Sequence, residues 1–380
     1  MIAVRPEVVG IELAREALGL RERELLHAGP AFSDPRHPPA AIVSSIVMTC
    51  LHEGWARDEA EAESLLHGGA LTLSPAQSRD CVTPLASIVS SSTPLFLVRN
   101  TGGVGPTVHA PLSVVRGADT RMGTRDGGLI SRLQERDRVT APSWQVLLQR
   151  TGSLDLWSPA VHGLTLGDDL HSRTAAANEA LATSVRERGD AALADAIAAT
   201  PLFFLSPWMA ACACILRAAE GCDMPTLITR AGGNGARFAI ALAGAPERWI
   251  DCIATPPRGP FIPSAPPDAR VLGAIGDSAV IDMLGLGGQR IAHAPEPFGL
   301  VQSQLELDHD DRARRLLSAG HPELPQRWPI GIDAKRVVSQ SCAPFVMLAM
   351  VAADGKTGFL GRGGYRPPLD LFEEAIRDAA

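Results

Sequence analysis

Apolar positions along this chain recur in two ways. Some return every three or four residues, as a helix face requires, and others cluster in short runs bounded by Pro and Gly, as strands do. Residues 6–18 carry Val8, Val9, Leu13 and Leu18 at helical spacing, with Gly19 placed to stop the turn. Pro38 and Pro39 open an apolar helix over 40–55, since a proline's missing N–H is harmless in a first turn. A charged helix over 58–67 ends at Gly68 and Gly69, and the runs 71–73 and 95–98 are strand-like. Between 123 and 188, Leu129, Leu133, Val146, Leu148, Leu154, Leu156 and Leu181 lie among polar residues at spacings of three and four. That pattern predicts a helical subdomain. The longest apolar stretch, 201–216, is shorter than the ~20 residues a bilayer span needs and reads as a buried helix. Beyond Gly221 the runs 226–229 and 238–243 are strand-like. Residues 255–267 hold six prolines and read as an exposed or wrapping loop. A final helix over 368–379 places Leu369, Phe372 and Ile376 on one side. The expected fold is mixed α/β (α+β), with an α/β portion over 1–111, a mainly helical subdomain over 112–220 and a second α/β portion over 221–380.

Composition narrows the partners. At 380 residues the chain is too long for one small core, and 46% hydrophobic with 20% charged is globular. A net charge of −7 without a basic run excludes a nucleic-acid surface. The seven cysteines are scattered, with no C-x-x-C pair, so neither a disulfide framework nor a zinc ribbon is expected. Residues 1–10 contain Arg5 and Glu7 and no apolar core of a secretory signal. The expectation is a cytoplasmic protein with reduced thiols, no membrane association and no metal.

Three segments carry chemistry. In Gly167-Asp168-Asp169-Leu170-His171-Ser172-Arg173, two acids precede a good helix former. This is what an N-cap looks like. It is also a place where Arg173 and free helix N–H groups would hold an anion, His171 would move a proton, and Asp168 or Asp169 would orient the ring. The second segment is Gly276-Asp277-Ser278, then Asp282, then Gly285 to Gly288. Its glycines let amides approach an oxyanion, or simply turn the chain. It matches neither the phosphate-binding loop nor the dinucleotide fingerprint, so no cofactor is expected. In the third, Asn234-Gly235 is primarily a tight-turn signal, with an amide suited to holding a substrate amide or carboxylate. His27 closes a strand-like run, Cys212 and Cys214 fit an apolar helix as inert thiols, and no serine has a G-x-S-x-G setting.

In order and spacing these pieces resemble the DUF1116 (YahG/YlbE-like) family. The resemblance runs from Leu26-His27-Ala28-Gly29-Pro30 through Glu53-Gly54, Ser74-Pro75, Arg116-Gly117-Ala118 and the 167–173 run. It continues through Met209-Ala210-Ala211, Asn234-Gly235, Gly276-Asp277-Ser278, Gly285 to Gly288 and Gly331-Ile332-Asp333. It implies two α/β portions with a small helical domain. The implied activity is that of an oxamate carbamoyltransferase subunit, in which oxalurate and phosphate become oxamate and carbamoyl phosphate. The implied partners are a small anionic amide or carbamoyl substrate, phosphate, and a protein resembling succinyl-CoA synthetase. On this resemblance Arg173, Gly287 and Gly288 would hold anions and His171 the proton, while Asn234 or the Asp277–Ser278 pair would position the amide. His27, Gly235 and Asp282 complete the expected site. The chain also departs from the pattern. Gln77 and Arg79 replace histidines, Ser172 an asparagine, Gly233 an arginine, Cys214 a lysine, and Asp282 a longer carboxylate. These departures imply a changed substrate, a non-catalytic ligand-binding or scaffold subunit, or an amide- or lactam-forming enzyme using an acyl phosphate.

Overall fold

The computed structural model describes residues 1–103, 105–117 and 119–379. Ala118 and Ala380, which belong to the resemblance and to the third expected portion, lie outside them. Helix takes 40% of the chain and strand 22%, in several small sheets, and the class is mixed α/β.

The helix Leu205–Arg217 is the centre of the molecule. Every residue from Leu205 to Leu216 is buried. A helix apolar on all sides must be covered on all sides. Two four-stranded sheets do this, together with the short helix Ala279–Leu284. One sheet runs Thr107–Pro111, Pro94–Asn100, Pro6–Leu13, Leu154–Asp155, all antiparallel. The other runs Ile275–Gly276, Ile228–Asn234, Arg237–Leu242, Ala245–Ile253, also antiparallel. A single hydrophobic cluster extends from Val4 to Ala375 through both.

Residues 6–18 are not a helix. Pro6–Leu13 is a strand and only Ala14–Ala17 is helical. Pro6 and Val8 are buried in alternation, and a bulge between Val8 and Gly10 shifts the inward position to Ile11. That shift imitates helical spacing, while two adjacent valines favour the pleated surface. Leu154 likewise lies in a two-residue strand rather than a helix.

Most other elements stand where the pattern puts them: Ala40–Glu53, Glu59–His67 with Asp58 accepting from the Glu61 N–H, Thr72–Pro75 and Leu369–Ala379. Residues 255–267 wrap along the Phe359–Tyr365 strand, joined by reciprocal Arg258 and Gly364 amide bonds of 2.9 and 2.8 Å. All seven cysteines are free thiols. Among the described residues no helix is long and apolar enough to cross a membrane.

Candidate functional site

The 167–173 run is wound around Asp169. Its carboxylate accepts from the N–H groups of His171 (3.3 Å), Ser172 (3.2 Å) and Arg173 (2.7 Å) and from the Ser172 hydroxyl (2.9 Å). Leu170 sits in the left-handed region at φ +65°, so the turn is tight and held from within. Asp168 accepts from the Ala177 N–H (2.9 Å), the third residue of the helix Ala175–Glu187, and from the Arg173 guanidinium. Burial pushes its pKa up, against that amide and that charge. Asp168 thus supplies the cap from six residues before Thr174, the N-cap residue, whose own side chain makes no cap bond.

Neither acid orients the imidazole. The Nδ1 of His171 lies 2.6 Å from Oδ2 of Asp282. The other oxygen of Asp282 accepts from the amides of Gly288 (2.7 Å) and Met347 (3.1 Å). The glycine loop therefore embraces the protein's own carboxylate. Gly287 has φ +53°, and a Cβ there would stand 2.6 Å from Asp282 Oδ1 and 3.1 Å from the His171 Cβ, so only glycine fits without displacement. Its N–H bonds the Asp169 carbonyl at 2.9 Å, tying the two segments together. Burial alone would depress the His171 pKa, but the Asp282 charge and hydrogen bond override it and hold the ring above its ordinary value. Burial raises Asp282 too, opposed by His171 and the two amides.

A cleft of about 60 Å³ lies against this pair, lined among others by His171, Ser172, Ser278, Arg121 and Arg362. Three polar groups in its wall make no hydrogen bond among the described residues. They are His171 Nε2, the Ser278 hydroxyl, and the whole Arg121 side chain, whose Nε is fully buried. Arg121 is 8% exposed and has no carboxylate partner among the described residues. A guanidinium so placed is costly unless an anion joins it. Sequence reasoning passed over Arg121, which stands alone in Thr120-Arg121-Met122 with no neighbouring signal. Its turn is fixed instead by Asp119, which accepts from the Thr120 N–H at 2.6 Å.

The remaining expected residues lie elsewhere. Asp277, fully buried, accepts from Gly29 N–H (2.9 Å), Gln77 Nε2 (2.7 Å), Thr83 N–H (2.9 Å) and the Thr83 hydroxyl (3.3 Å). Burial pushes its pKa up to about 7. It cross-links three distant segments and does not line the cleft, although Ser278 beside it does. Asn234 turns a hairpin: its oxygen accepts from Ala236 (3.0 Å) and Arg237 (2.7 Å), its amide donates to the Pro30 carbonyl (2.8 Å), and Gly235 has φ +86°. His27 is buried against Phe32, with its Nδ1 2.8 Å from the Ala28 carbonyl, and burial lowers its pKa to about 4. The fold thus joins His171, Ser278, Asp282, Gly287 and Gly288, sets Arg173 just outside, and leaves Asn234, Gly235 and His27 off the cleft. Cys214 is buried too, its thiol pushed up to about 11 by desolvation. No group of three or more His, Cys, Asp or Glu side chains among the described residues is arranged to hold a metal ion.

Fold and cleft define a mixed α/β protein with a buried histidine–aspartate pair and an unpaired arginine in one small cleft. The model of the oxamate carbamoyltransferase subunit AllG family matches residues 71–278, more than half of the chain, which therefore belongs to that family. The uncharacterised protein YahG of Escherichia coli strain K12 is 28% identical over 99% of this chain and 83% of its own length. The oxamate carbamoyltransferase subunit AllG of the same organism is 27% identical, over 94% of this chain and 89% of its own. A solved structure titled a conserved protein of unknown function from Enterococcus faecalis V583 aligns with TM-score 0.92 at 24% identity, covering 100% of this chain and 94% of that one. That last likeness speaks for the fold alone.

Proposed function

We propose that this chain is the subunit of an oxamate carbamoyltransferase-like complex that transfers a carbamoyl group between a small anionic amide and phosphate. The observation that carries the reading is that His171 and Arg121, which has no carboxylate partner among the described residues, line one cleft. Carbamoyl transfer from oxalurate requires a cation for the substrate carboxylate and an acid for the departing nitrogen. Arg121 is suited to the carboxylate, and the Ser278 hydroxyl to the carbamoyl carbonyl. A phosphate oxygen attacks the carbamoyl carbon, the carbon–nitrogen bond breaks, and the ring proton of His171 goes to the nitrogen. The products are carbamoyl phosphate and oxamate. Asp282 keeps the ring oriented and favours its charged form.

With the activity we propose the rest of its setting. That is a cytoplasmic assembly with a protein partner resembling succinyl-CoA synthetase, and three portions at 1–111, 112–220 and 221–380. A second reading, a non-catalytic ligand-binding subunit, is favoured by the internal use of Arg173, Asn234, Asp277, Gly287 and Gly288. The test is phosphate-dependent release of oxamate from oxalurate by the complex carrying this chain. His171→Asn is expected to lose about a hundredfold or more, and Arg121→Met tenfold to about a hundredfold, mainly in KM. If carbamoyl donors bind to the wild type but neither variant changes a rate, the non-catalytic reading takes over.

A further inference from the structure

Beside the His171 cleft lies a larger and more open one of about 440 Å³, and the two share Ser172, Leu202, Phe359 and Arg362. Its floor is the start of the 13-residue helix Ala175–Glu187. Thr174, 1% exposed, stands at that helix start with a fully buried hydroxyl that has no hydrogen-bond partner among the described residues. The first amides of that helix are taken by Asp168, but a buried hydroxyl without a partner is an incomplete arrangement. Two arginines, Arg173 and Arg362, also line this outer cleft.

Arg173 is bonded to Asp168, and both arginines also approach one further carboxylate of the protein itself. Glu296, at the start of the helix Pro295–Val301, receives both terminal nitrogens of Arg362, one of them at 3.2 Å, and lies 3.8 Å from Arg173 Nε. Its side chain is 51% exposed, whereas Arg362 and Arg173 are 28% and 30% exposed. A half-exposed carboxylate on two better-buried guanidinium groups is weakly held and readily exchanged for another oxyanion. The Arg362 fork is the geometry that carboxylate and phosphate share. Arg362 also donates to the Ser172 carbonyl at 3.2 Å, so its fork stays at the junction of the two clefts.

We propose that the outer cleft is a phosphate subsite for which Glu296 is the built-in competitor. The incoming phosphate takes the place of the Glu296 carboxylate on Arg362, accepts from the Thr174 hydroxyl, and is set beside the ligand held by Arg121. The proposal rests on the reading of the inner cleft as the carbamoyl site, because only then do the two ligands meet at the shared wall. Binding of phosphate itself is independent of that reading.

The test is calorimetric titration of the full chain with inorganic phosphate, and separately with oxamate. Glu296→Ala removes only a surface carboxylate and is expected to tighten phosphate binding about fivefold, the release of one exposed ion pair. Thr174→Val keeps the shape of the residue and is expected to weaken phosphate by a similar factor. Both should leave oxamate affinity unchanged, whereas Arg121→Met should weaken oxamate binding tenfold to about a hundredfold and spare phosphate. If phosphate affinity is the same in wild type, Glu296→Ala and Thr174→Val, the outer subsite is overturned while the inner one stands. If phosphate binds as proposed but oxamate is indifferent to Arg121→Met, the carbamoyl reading fails and the phosphate site survives. Mutual exclusion of phosphate and oxamate overturns the proposal of two adjacent subsites.

Discussion

His171 and Asp282 stand 111 positions apart in sequence, yet their side chains meet at 2.6 Å in a wholly buried contact. The pair ties the 167–173 turn to the glycine loop and leaves the other imidazole nitrogen without a hydrogen bond among the described residues. Its protonation is therefore set by a carboxylate that no local reading would choose.

Asp282→Asn should reverse the sign of the His171 shift. In the wild type the ring titrates above the ordinary histidine value because Asp282 outweighs burial. With that charge gone, burial is opposed only by the smaller effect of the Asp169 charge, and the ring should titrate below that value. The stabilising effect of the ion pair is full below the unfolded-state pKa and is lost as pH rises through the higher folded value. NMR titration of the ring protons of both proteins reads this directly, and a variant ring still titrating high would contradict it.

Gly287→Ala should cost about 2–4 kcal/mol, since it combines a positive φ with a Cβ 2.6 Å from the Asp282 carboxylate. Gly221→Ala is the control, because φ there is +80° with nothing within 4 Å, and it should lose only the backbone share of about 1 kcal/mol. Urea unfolding of the two variants separates the strain from the collision.

Asp277→Ala should be among the most damaging single changes, at about 3–5 kcal/mol, without touching the cleft. It deprives the Gly29 and Thr83 amides and the Gln77 side chain of their acceptor in a fully buried place. Equal stability of wild type and variant in urea would show that water or rearrangement replaces the carboxylate.

Acid should reveal His27. Its ring is neutral in the folded chain down to about 4, while an unfolded histidine takes a proton near 6.5. Between those values the unfolded state binds more protons, so the contribution of His27 to stability is present above pH 6.5 and lost as pH falls towards 4. By pH 5 the loss is about 2 kcal/mol. Asp277, raised to about 7, works in the opposite direction over the same range, because its folded form keeps a proton that the unfolded chain has released. The measurement is therefore the difference between wild type and His27→Phe at pH 7 and pH 5. The variant should lose less on acidification, and parallel pH dependences would rule out His27 as the cause.

Helices with an uninterrupted apolar face were legible in the chain alone. Ala40–Glu53, Glu59–His67 and Leu205–Arg217 fall where the spacing, the prolines and the terminal glycines put them. So was the chemical character of the 167–173 run, because a Gly-Asp-Asp-x-His-x-Arg string packs polar groups into one tight turn. The strand Pro6–Leu13 was not legible, since its bulge turns a period of two into one that resembles three and four.

What the sequence by itself determined is the class of fold and the central buried helix. Periodicity and turn chemistry are local properties, written within a few residues of where they act. Only the tertiary structure decided which acid holds His171, and that Arg121 lines the cleft without a carboxylate partner among the described residues. Both depend on segments distant in sequence being closed against one another by the core, His171 and Asp282 lying 111 positions apart, and a partner chosen that way leaves no periodic trace in the chain.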